Sequence, residues 1–248
     1  MINIDLILEL IKNGIETAYY DLVKHEDYSE LLKDKITEYL ITVGVVKKLL
    51  ENTKKLSTLS SIRVEYDSDE FLSHAFTFMK LFPSIRQRKH ESIRKGRIDI
   101  AILDKFISKP FKRSVCGIEI KAINPHKGDV KKDFLRFEHA LLETDPIGEN
   151  SIEVCFIAFL KRLDTPTKCF NEADYIPAIE NSLAELSEYK NNTKLDVNIK
   201  HFSVFKESVE EYVKGFGENT DSIFGEEIPI YTGAVEGFII IMKRKDNE

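Results

Sequence analysis

Two segments of strictly alternating character place the strongest constraint on the fold of this 248-residue chain. They are Arg97–Leu103 (RIDIAIL) and Val115–Ile123 (VCGIEIKAI). Because side chains on a β-strand point alternately to opposite faces, each segment is expected to form a strand with one apolar face. The apolar faces would carry Ile98, Ile100 and Ile102 on the first strand, and Cys116, Ile118 and Ile120 on the second.

Charged residues occupy the opposite faces of these two strands. Asp99 shares its face with Arg97 and Ala101, whereas Glu119 shares its face with Lys121. If the strands pair as a hairpin, the carboxylates of Asp99 and Glu119 can lie side by side, where they repel unless a proton or a cation intervenes. A hard divalent ion, Mg²⁺ or Mn²⁺, suits such oxygen ligands, and the Lys121 ammonium would project beside it.

The remaining patterns predict an α/β or α+β domain with a mixed sheet. Apolar residues at helical spacing indicate helices at 3–24, 28–53, 68–82, 127–143, 175–189 and 204–214. Strands are indicated at 62–66, at 152–160, a nearly continuous apolar run typical of a buried strand, and at 236–243. A basic segment at 86–95 precedes the strand that carries Asp99, and glycines at 215, 217 and 225 indicate a loop.

Charge, cysteine content and missing motifs exclude several classes of protein. A net charge of −6 argues against nonspecific coating of nucleic acid, so any such contact needs a local basic surface. The three cysteines, at 116, 155 and 169, form no CxxC pair and are expected to be reduced thiols. With no signal-peptide pattern and no membrane-length apolar run, we expect a cytoplasmic protein without a membrane partner. The sequence has no P-loop, GxGxxG, GxSxG or HExxH motif, which argues against nucleotide cofactors, serine hydrolases and zinc proteases.

Asp99, followed by Glu119-Ile120-Lys121 on the next strand with a helix on each side, resembles the PD-(D/E)XK nuclease superfamily. The resemblance covers about 35–160 and implies a restriction-endonuclease-like αβββαβ core, with a mixed central sheet flanked by helices. It does not explain the flanks: 1–34 are expected to form an N-terminal helical extension, and 161–248 a C-terminal extension packed on the core. The sequence leaves open whether 161–248 complete the sheet, dimerise or recognise substrate. The sequence departs from the family at Ile98, where proline often precedes the first acid, but both acids and the lysine are present.

This resemblance implies a metal-dependent nuclease. Asp99, Glu119 and Lys121 would be catalytic, and Asp99, Glu119 and the backbone carbonyl of Ile120 would bind Mg²⁺ or Mn²⁺. Many members add a metal-binding, catalytic glutamate from the first core helix, and Glu38 is the best candidate for it. Its neighbours Glu30, Asp34 and Glu51 are the alternatives.

The resemblance favours a DNA endonuclease of restriction, phage defence or repair, with an RNA-directed nuclease as an alternative. Basic residues near the expected site are candidate phosphate contacts, namely Arg94, Arg97, Lys127, Lys131 and Arg136. Because enzymes that cut duplexes usually pair two sites across a two-fold axis, a homodimer is expected. The sequence does not say whether a partner subunit, such as an ATPase or a methyltransferase, acts beside it. A second hypothesis, favoured by the acidic pI, is a non-catalytic module that binds nucleic acid or protein. The same charged residues would then form solvated strand and helix surfaces.

Overall fold

The computed structural model describes residues 2–23, 34–56, 61–76, 96–105, 112–144, 148–163, 172–206 and 234–245. These residues form six helices and six strands. The helices are α1 (Ile4–Val23), α2 (Asp34–Glu51), α3 (Thr53–Leu56), α4 (Ser68–Ser73), α5 (Lys127–Leu142) and α6 (Glu172–Lys190). The strands are β1 (Ser61–Asp67), β2 (Arg97–Lys105), β3 (Lys112–Ile123), β4 (Val154–Arg162), β5 (Leu195–Lys206) and β6 (Ala234–Arg244).

All six strands join one mixed sheet in the order β1-β2-β3-β4-β6-β5. Strands β3 and β4 are parallel and are connected through α5, while the other neighbouring pairs are antiparallel. The last strand, β6, lies between β4 and β5 and pairs with both. The segment after residue 160 therefore completes the central sheet.

Helices cover both faces of the sheet, so the central strands β3, β4 and β6 are buried on two sides. On one face, α1 and α2 pack over a core that we call the α1/α2 core. On the other face, α4, α5 and α6 pack over the α5/α6 core. The α1/α2 core includes Ile11, Ile15, Val45, Ile118 and Phe156. The α5/α6 core includes Phe71, Phe137, Leu186, Ile157 and Phe238.

Two glycines let α1 and α2 approach each other closely. A Cβ atom on Gly14 would lie 2.5 Å from the Cα of Val45, and one on Gly44 would lie 2.8 Å from the carbonyl oxygen of Gly14. Both obstacles are backbone atoms, which cannot rotate away as a side chain can. The glycines thus fix how deeply α2 docks, and α2 is the helix that carries Glu38.

Most of the predicted elements are confirmed in type and near position. The predicted helices at 3–24, 127–143 and 175–189 correspond to α1, α5 and α6, and the later part of 28–53 corresponds to α2. The five predicted strands correspond to β1, β2, β3, β4 and β6. A mixed α/β domain with a mixed sheet flanked by helices is confirmed. No helix within these described segments is long and apolar enough to cross a membrane.

Three predictions need correction. The helix predicted at 204–214 is wrong over 204–206, which belong to β5, a strand that the sequence reading missed. The helix predicted at 68–82 ends at Ser73, because His74 begins a turn. Ile98 was expected to share a face with Ile100, yet it packs in the α5/α6 core while Ile100 packs in the α1/α2 core. This change coincides with a distortion of β1 at Glu65, where φ is 51°.

Several predictions lie outside the described residues. They are the basic segment 86–95, the glycine loop around 215–225, Cys169, the helical positions 28–33, 77–82 and 207–214, and the alternative acid Glu30.

Candidate active site

The candidate site forms where β2 and β3 stop pairing with each other. The regular register ends at Ile100 opposite Ile118. Asp99 is the residue of β2 just before Ile100, and here a side chain replaces the backbone as the partner of β3. Its Oδ2 accepts a hydrogen bond from the backbone N–H of Ile120 at 2.7 Å. The Asp99 carboxylate therefore satisfies a strand amide, which is a contact that fixes its position.

A second carboxylate reaches the same edge of β3 from α2. Oε2 of Glu38 accepts a hydrogen bond from the backbone N–H of Ala122 at 3.3 Å. Ile120 and Ala122 are two positions apart, so their amides point to the same side of the strand. Glu38 and Asp99 thus accept hydrogen bonds from neighbouring amides of β3. Burial raises the pKa of Glu38, and the charge of Asp99 adds to this shift. The structure brings Glu38 to the site, as the prediction required.

The other two predicted residues meet charged side chains of α5. Glu119 is 1% exposed. Its Oε2 lies 3.6 Å from Nζ of Lys121, and its Oε1 accepts a hydrogen bond from Nη2 of Arg136. Lys121 also lies 3.0 Å from Oδ2 of Asp133, whose Oδ1 accepts a hydrogen bond from Arg136 at 2.7 Å. Two acids and two bases therefore form one connected network.

Burial and mutual repulsion disfavour the ionised carboxylates of this network. Burial, together with the charge of Asp99, raises the pKa of Glu119 well above its usual value, although Arg136 and Lys121 oppose the shift. Burial also raises the pKa of Asp99 against the effect of the Ile120 amide and Lys121. It raises the pKa of Glu38 as well, and there Lys121 opposes it and Asp99 adds to it. An additional positive charge at this place would relieve all three groups.

Lys121 behaves in the opposite way. Burial by itself would lower its pKa, because a buried ammonium loses its hydration. The carboxylates of Glu119, Asp133 and Asp99 outweigh this effect, so the pKa of Lys121 is raised and its ammonium stays charged.

The donor set and its charge fit a hard divalent cation. Four carboxylates (Glu38, Asp99, Glu119 and Asp133) meet two basic groups (Lys121 and Arg136), so the ionised cluster has two negative charges in excess. Carboxylate oxygens are the ligands that Mg²⁺ and Mn²⁺ prefer. Among the described residues, however, no three histidine, cysteine, aspartate or glutamate side chains form a ready metal-binding group. The carboxylates are directed to amides and to basic side chains, and at least Glu119 would exchange Arg136 for a cation.

The candidate phosphate contacts differ in their surroundings. Arg136 is only 11% exposed at its side chain and belongs to the network around Glu119, with Nη1 donating to the carbonyl of Arg97 at 3.2 Å. Arg97 is exposed and lies 3.7 Å from Glu65, Lys127 is exposed and lies 3.3 Å from Glu188, and Lys131 is exposed. Arg94 lies outside the described residues.

Two acidic residues of the site were missed by the sequence reading. Asp133 is 9% exposed and lies within the apolar stripe of α5, which also carries Val130, Phe134 and Phe137. A charged residue in a core-facing stripe was the signal that could have identified it. Glu65 faces the position of Asp99 across β1 and β2, and its charge adds to the upward shift in the pKa of Asp99.

Comparisons with protein-family models, with curated proteins and with solved structures found no match.

Proposed function

We propose that this protein is a metal-dependent nuclease of the PD-(D/E)XK type, with DNA as its substrate. One observation carries the proposal: Asp99 and Glu119, from neighbouring strands, lie in one partly buried cluster with Lys121 and with Glu38 from the first core helix. These four side chains come from three separate elements. A cluster with excess negative charge and a retained ammonium is suited to bind a divalent cation beside a basic group.

The order of the elements around the cluster supports the same proposal. Helix α2, strands β1, β2 and β3, helix α5 and strand β4 follow one another in the order expected of a restriction-endonuclease-like core. Two short helices are additions: α3 lies between α2 and β1, and α4 lies between β1 and β2. The candidate residues lie on α2, β2 and β3, the elements on which the resemblance places them.

Each residue has a distinct task in the proposed reaction. Asp99, Glu119, Glu38 and the carbonyl of Ile120 would hold the cation, which lowers the pKa of a bound water and neutralises phosphate charge. The Lys121 ammonium orients the attacking water or stabilises the negative charge that develops on the phosphate. Arg136, which pairs with Glu119 and Asp133, would add positive charge beside the phosphate.

The exposed basic residues would position the substrate backbone. Arg97 and Lys127 form surface ion pairs with glutamates, and such pairs contribute only about 0–1 kcal/mol. A phosphate can therefore replace the glutamate partner at little cost. For cleavage of both strands of a duplex, two copies of the chain would act together across a two-fold axis.

One observation favours a second candidate, a non-catalytic binding module. Arg136 and Lys121 already neutralise much of the charge of Glu119 and Asp133. In a binding module, the role of such a closed network would be to hold α5 on the sheet. In that case divalent cations would leave the stability of the protein unchanged.

A cleavage assay separates the two candidates. Plasmid, linear duplex, single-stranded DNA and RNA are incubated with the protein in Mg²⁺, in Mn²⁺ or in EDTA. We expect metal-dependent cleavage of DNA that falls at least about 100-fold in Asp99→Ala and in Lys121→Ala. Cleavage of RNA alone would assign the alternative substrate.

The matched control variants are Asp196→Ala and Lys200→Ala, which change exposed residues of the edge strand β5. They should cleave at the wild-type rate. Wild-type activity in Asp99→Ala would rule out the proposed mechanism. Absence of cleavage on every substrate, together with no metal-dependent change in melting temperature, would assign the binding module.

A further inference from the structure

The carboxylate of Asp133 bridges the two basic side chains of the candidate site. Its Oδ2 lies 3.0 Å from Nζ of Lys121, and its Oδ1 accepts a hydrogen bond from Nη2 of Arg136 at 2.7 Å. Each oxygen is therefore engaged by a different cation. Lys121 lies closer to Asp133 than to Glu119, from which it is 3.6 Å away. The shortest ion pair of the ammonium is thus made by a residue of α5.

The position of Asp133 in the fold gives this contact a defined geometry. Asp133 lies within the buried stripe of α5, next to Phe134 and one turn before Phe137, and both of these pack in the α5/α6 core. Phe137 lies directly over Gly117 of β3, where a Cβ would come within 2.7 Å of its ring. This close packing leaves α5 little freedom to shift along β3. The carboxylate is consequently held at a fixed place above the strand that carries Lys121.

We infer that Asp133 is a positioning residue for the proposed reaction: it holds the Lys121 ammonium, and with it Arg136, in the place where they act on the phosphate. The inference rests on the proposed function. A lysine side chain has four rotatable bonds, so an ammonium without a fixed partner would spend much of its time away from a reacting group. The two ion pairs of Asp133 select one arrangement of both basic groups before substrate arrives.

The contacts of Asp133 distinguish its role from that of the proposed metal ligands. Asp99 and Glu38 accept hydrogen bonds from strand amides, whereas both oxygens of Asp133 are engaged by basic side chains. Glu119 has the same two basic partners, but it lies on β3, close enough to Asp99 for the charge of Asp99 to raise its pKa. Loss of the Asp133 charge should therefore leave the proposed metal ligands Asp99, Glu119 and Glu38 in place and impair mainly the step in which Lys121 takes part.

The test compares Asp133→Asn with Asp129→Asn, which makes the same change one turn earlier on α5. Asp129 is exposed and pairs with Lys132, so it is a matched control outside the site. We expect kcat for metal-dependent cleavage to fall about 10–100-fold in Asp133→Asn, the usual loss when a supporting partner is removed. KM and the metal-dependent rise in melting temperature should stay near wild type. Asp129→Asn should match the wild type in all three measurements.

A second readout does not depend on activity. The protein is treated in EDTA with an amine-acylating reagent, and modification of Lys121 is quantified by mass spectrometry. We expect several-fold faster modification in Asp133→Asn and an unchanged rate in Asp129→Asn. Arg136→Gln, which leaves the contact between Asp133 and Lys121 in place, should also modify at the wild-type rate.

Asp133→Glu covers the case in which Asp133→Asn does not fold. It retains the charge but moves it by one methylene, so kcat and Lys121 protection should fall between those of the wild type and of a variant without the charge. Wild-type kcat and wild-type labelling in either folded variant would overturn the inference. A wild-type protein that cleaves no substrate would overturn the proposed function instead, and the labelling would still decide whether Asp133 holds Lys121.

Discussion

At the scale of single residues, the candidate site is a place where hydration has been exchanged for contacts between charged groups. Glu119 loses nearly all of its water and gains Lys121 and Arg136. Burial raises the pKa values of Glu119, Asp99 and Glu38, so the new contacts do not fully compensate these carboxylates for the hydration they lose. A group held in its less favoured charge state at neutral pH lowers the stability of the folded protein. Such local cost is common where a protein binds ligands.

Asp99→Asn should stabilise the metal-free protein. The asparagine oxygen can still accept the hydrogen bond from Ile120, while the repulsion between Asp99 and Glu119 disappears. We expect the free energy of unfolding at pH 7 in EDTA to rise by about 1 kcal/mol, which corresponds to a shift of about 2–4 °C in melting temperature.

The proposed metal site predicts that Mg²⁺ or Mn²⁺ stabilises the wild type and that the same variant loses this stabilisation. At a concentration 100 times the dissociation constant, that stabilisation is about 2.7 kcal/mol for one site. Thermal unfolding with and without metal measures both effects. A metal-free Asp99→Asn protein that melts well below the wild type would show that Asp99 serves the fold rather than a site.

Tyr189→Phe should remove a buried polar group that the fold does not use. The hydroxyl of Tyr189 is buried without a hydrogen-bond partner among the described residues, while its ring packs 4.6 Å from that of Phe134. Phenylalanine keeps the ring and removes the hydroxyl. We expect unchanged stability at pH 7 or a gain of up to about 1 kcal/mol.

The difference between Tyr189→Phe and wild type should grow at high pH. Burial, with the charge of Glu188, raises the pKa of Tyr189 to about 12. An unfolded tyrosine titrates near 10, so the folded protein holds this proton more tightly, and stability is lost between about pH 10 and 12. The variant lacks this loss. Urea unfolding across that range measures the difference, with Tyr39→Phe, at an exposed position, as the control. A pH-independent difference would contradict the prediction.

At the scale of elements, the sequence predicts strands best where one apolar pattern, alternating or continuous, runs unbroken along the segment. Strands β2 and β3 were identified by alternation and β4 by its continuous apolar run, because these patterns depend only on neighbouring residues. Strand β5 also alternates, with Leu195, Val197 and Ile199 buried, but its polar outer positions resemble a loop. It lies at the edge of the sheet, where one side stays exposed.

The site residues also divide into those that local patterns predict and those that depend on how the chain packs. Asp99, Glu119 and Lys121 could be predicted from strand parity and the family resemblance. The choice of Glu38 over Asp34 or Glu51 depends on how α2 docks, which no local pattern contains. The position of Asp133 at the site depends on the packing of α5 over β3. The position of Glu65 depends on a backbone distortion of β1. Such long-range contacts are visible only in the folded chain.

Gly14→Ala should destabilise the packing of α1 on α2. Alanine favours a helix by about 1 kcal/mol over glycine, but here its Cβ would collide with the backbone of Val45. Overpacking of this kind typically costs about 1–3 kcal/mol, so we expect a net loss of stability. Because α2 carries Glu38, the stabilisation by metal should also weaken.

Chemical unfolding measures the effect of Gly14→Ala, and Lys47→Ala, at an exposed position of α2, is the control. A Gly14→Ala protein at least as stable as the wild type would show that α1 and α2 can move apart enough to accommodate the added Cβ without loss of stability.

At the scale of the whole molecule, one sheet unites the predicted nuclease core with the segments on either side of it. Helix α1 contributes to the α1/α2 core, and β5 and β6 extend the sheet beyond β4. Pairing of β4 with β6 runs from Cys155 to Arg162. The sequence alone left the role of 161–248 open, because its strands are separated by long stretches without a clear pattern.

A fragment of residues 1–163 should therefore fail to fold cooperatively. Without β6, the apolar strand β4 would become an exposed edge that aggregates readily. We expect no cooperative thermal transition in circular dichroism, and we expect coexpression with 164–248 to restore it. Cooperative melting of the fragment alone, near the full-length temperature, would contradict this prediction.

The insertion of β6 between β4 and β5 has a consequence for synthesis on the ribosome. The strand that joins the two halves of the sheet is the last of the six to be translated. Until it emerges, β4 and β5 have no partner along the edges that β6 will occupy, so the nascent chain exposes unpaired backbone N–H and C=O groups and apolar side chains. Maturation of this protein in a cell should accordingly depend on chaperones that shield such edges, and a slowed ribosome downstream of β5 should lower the yield of native protein.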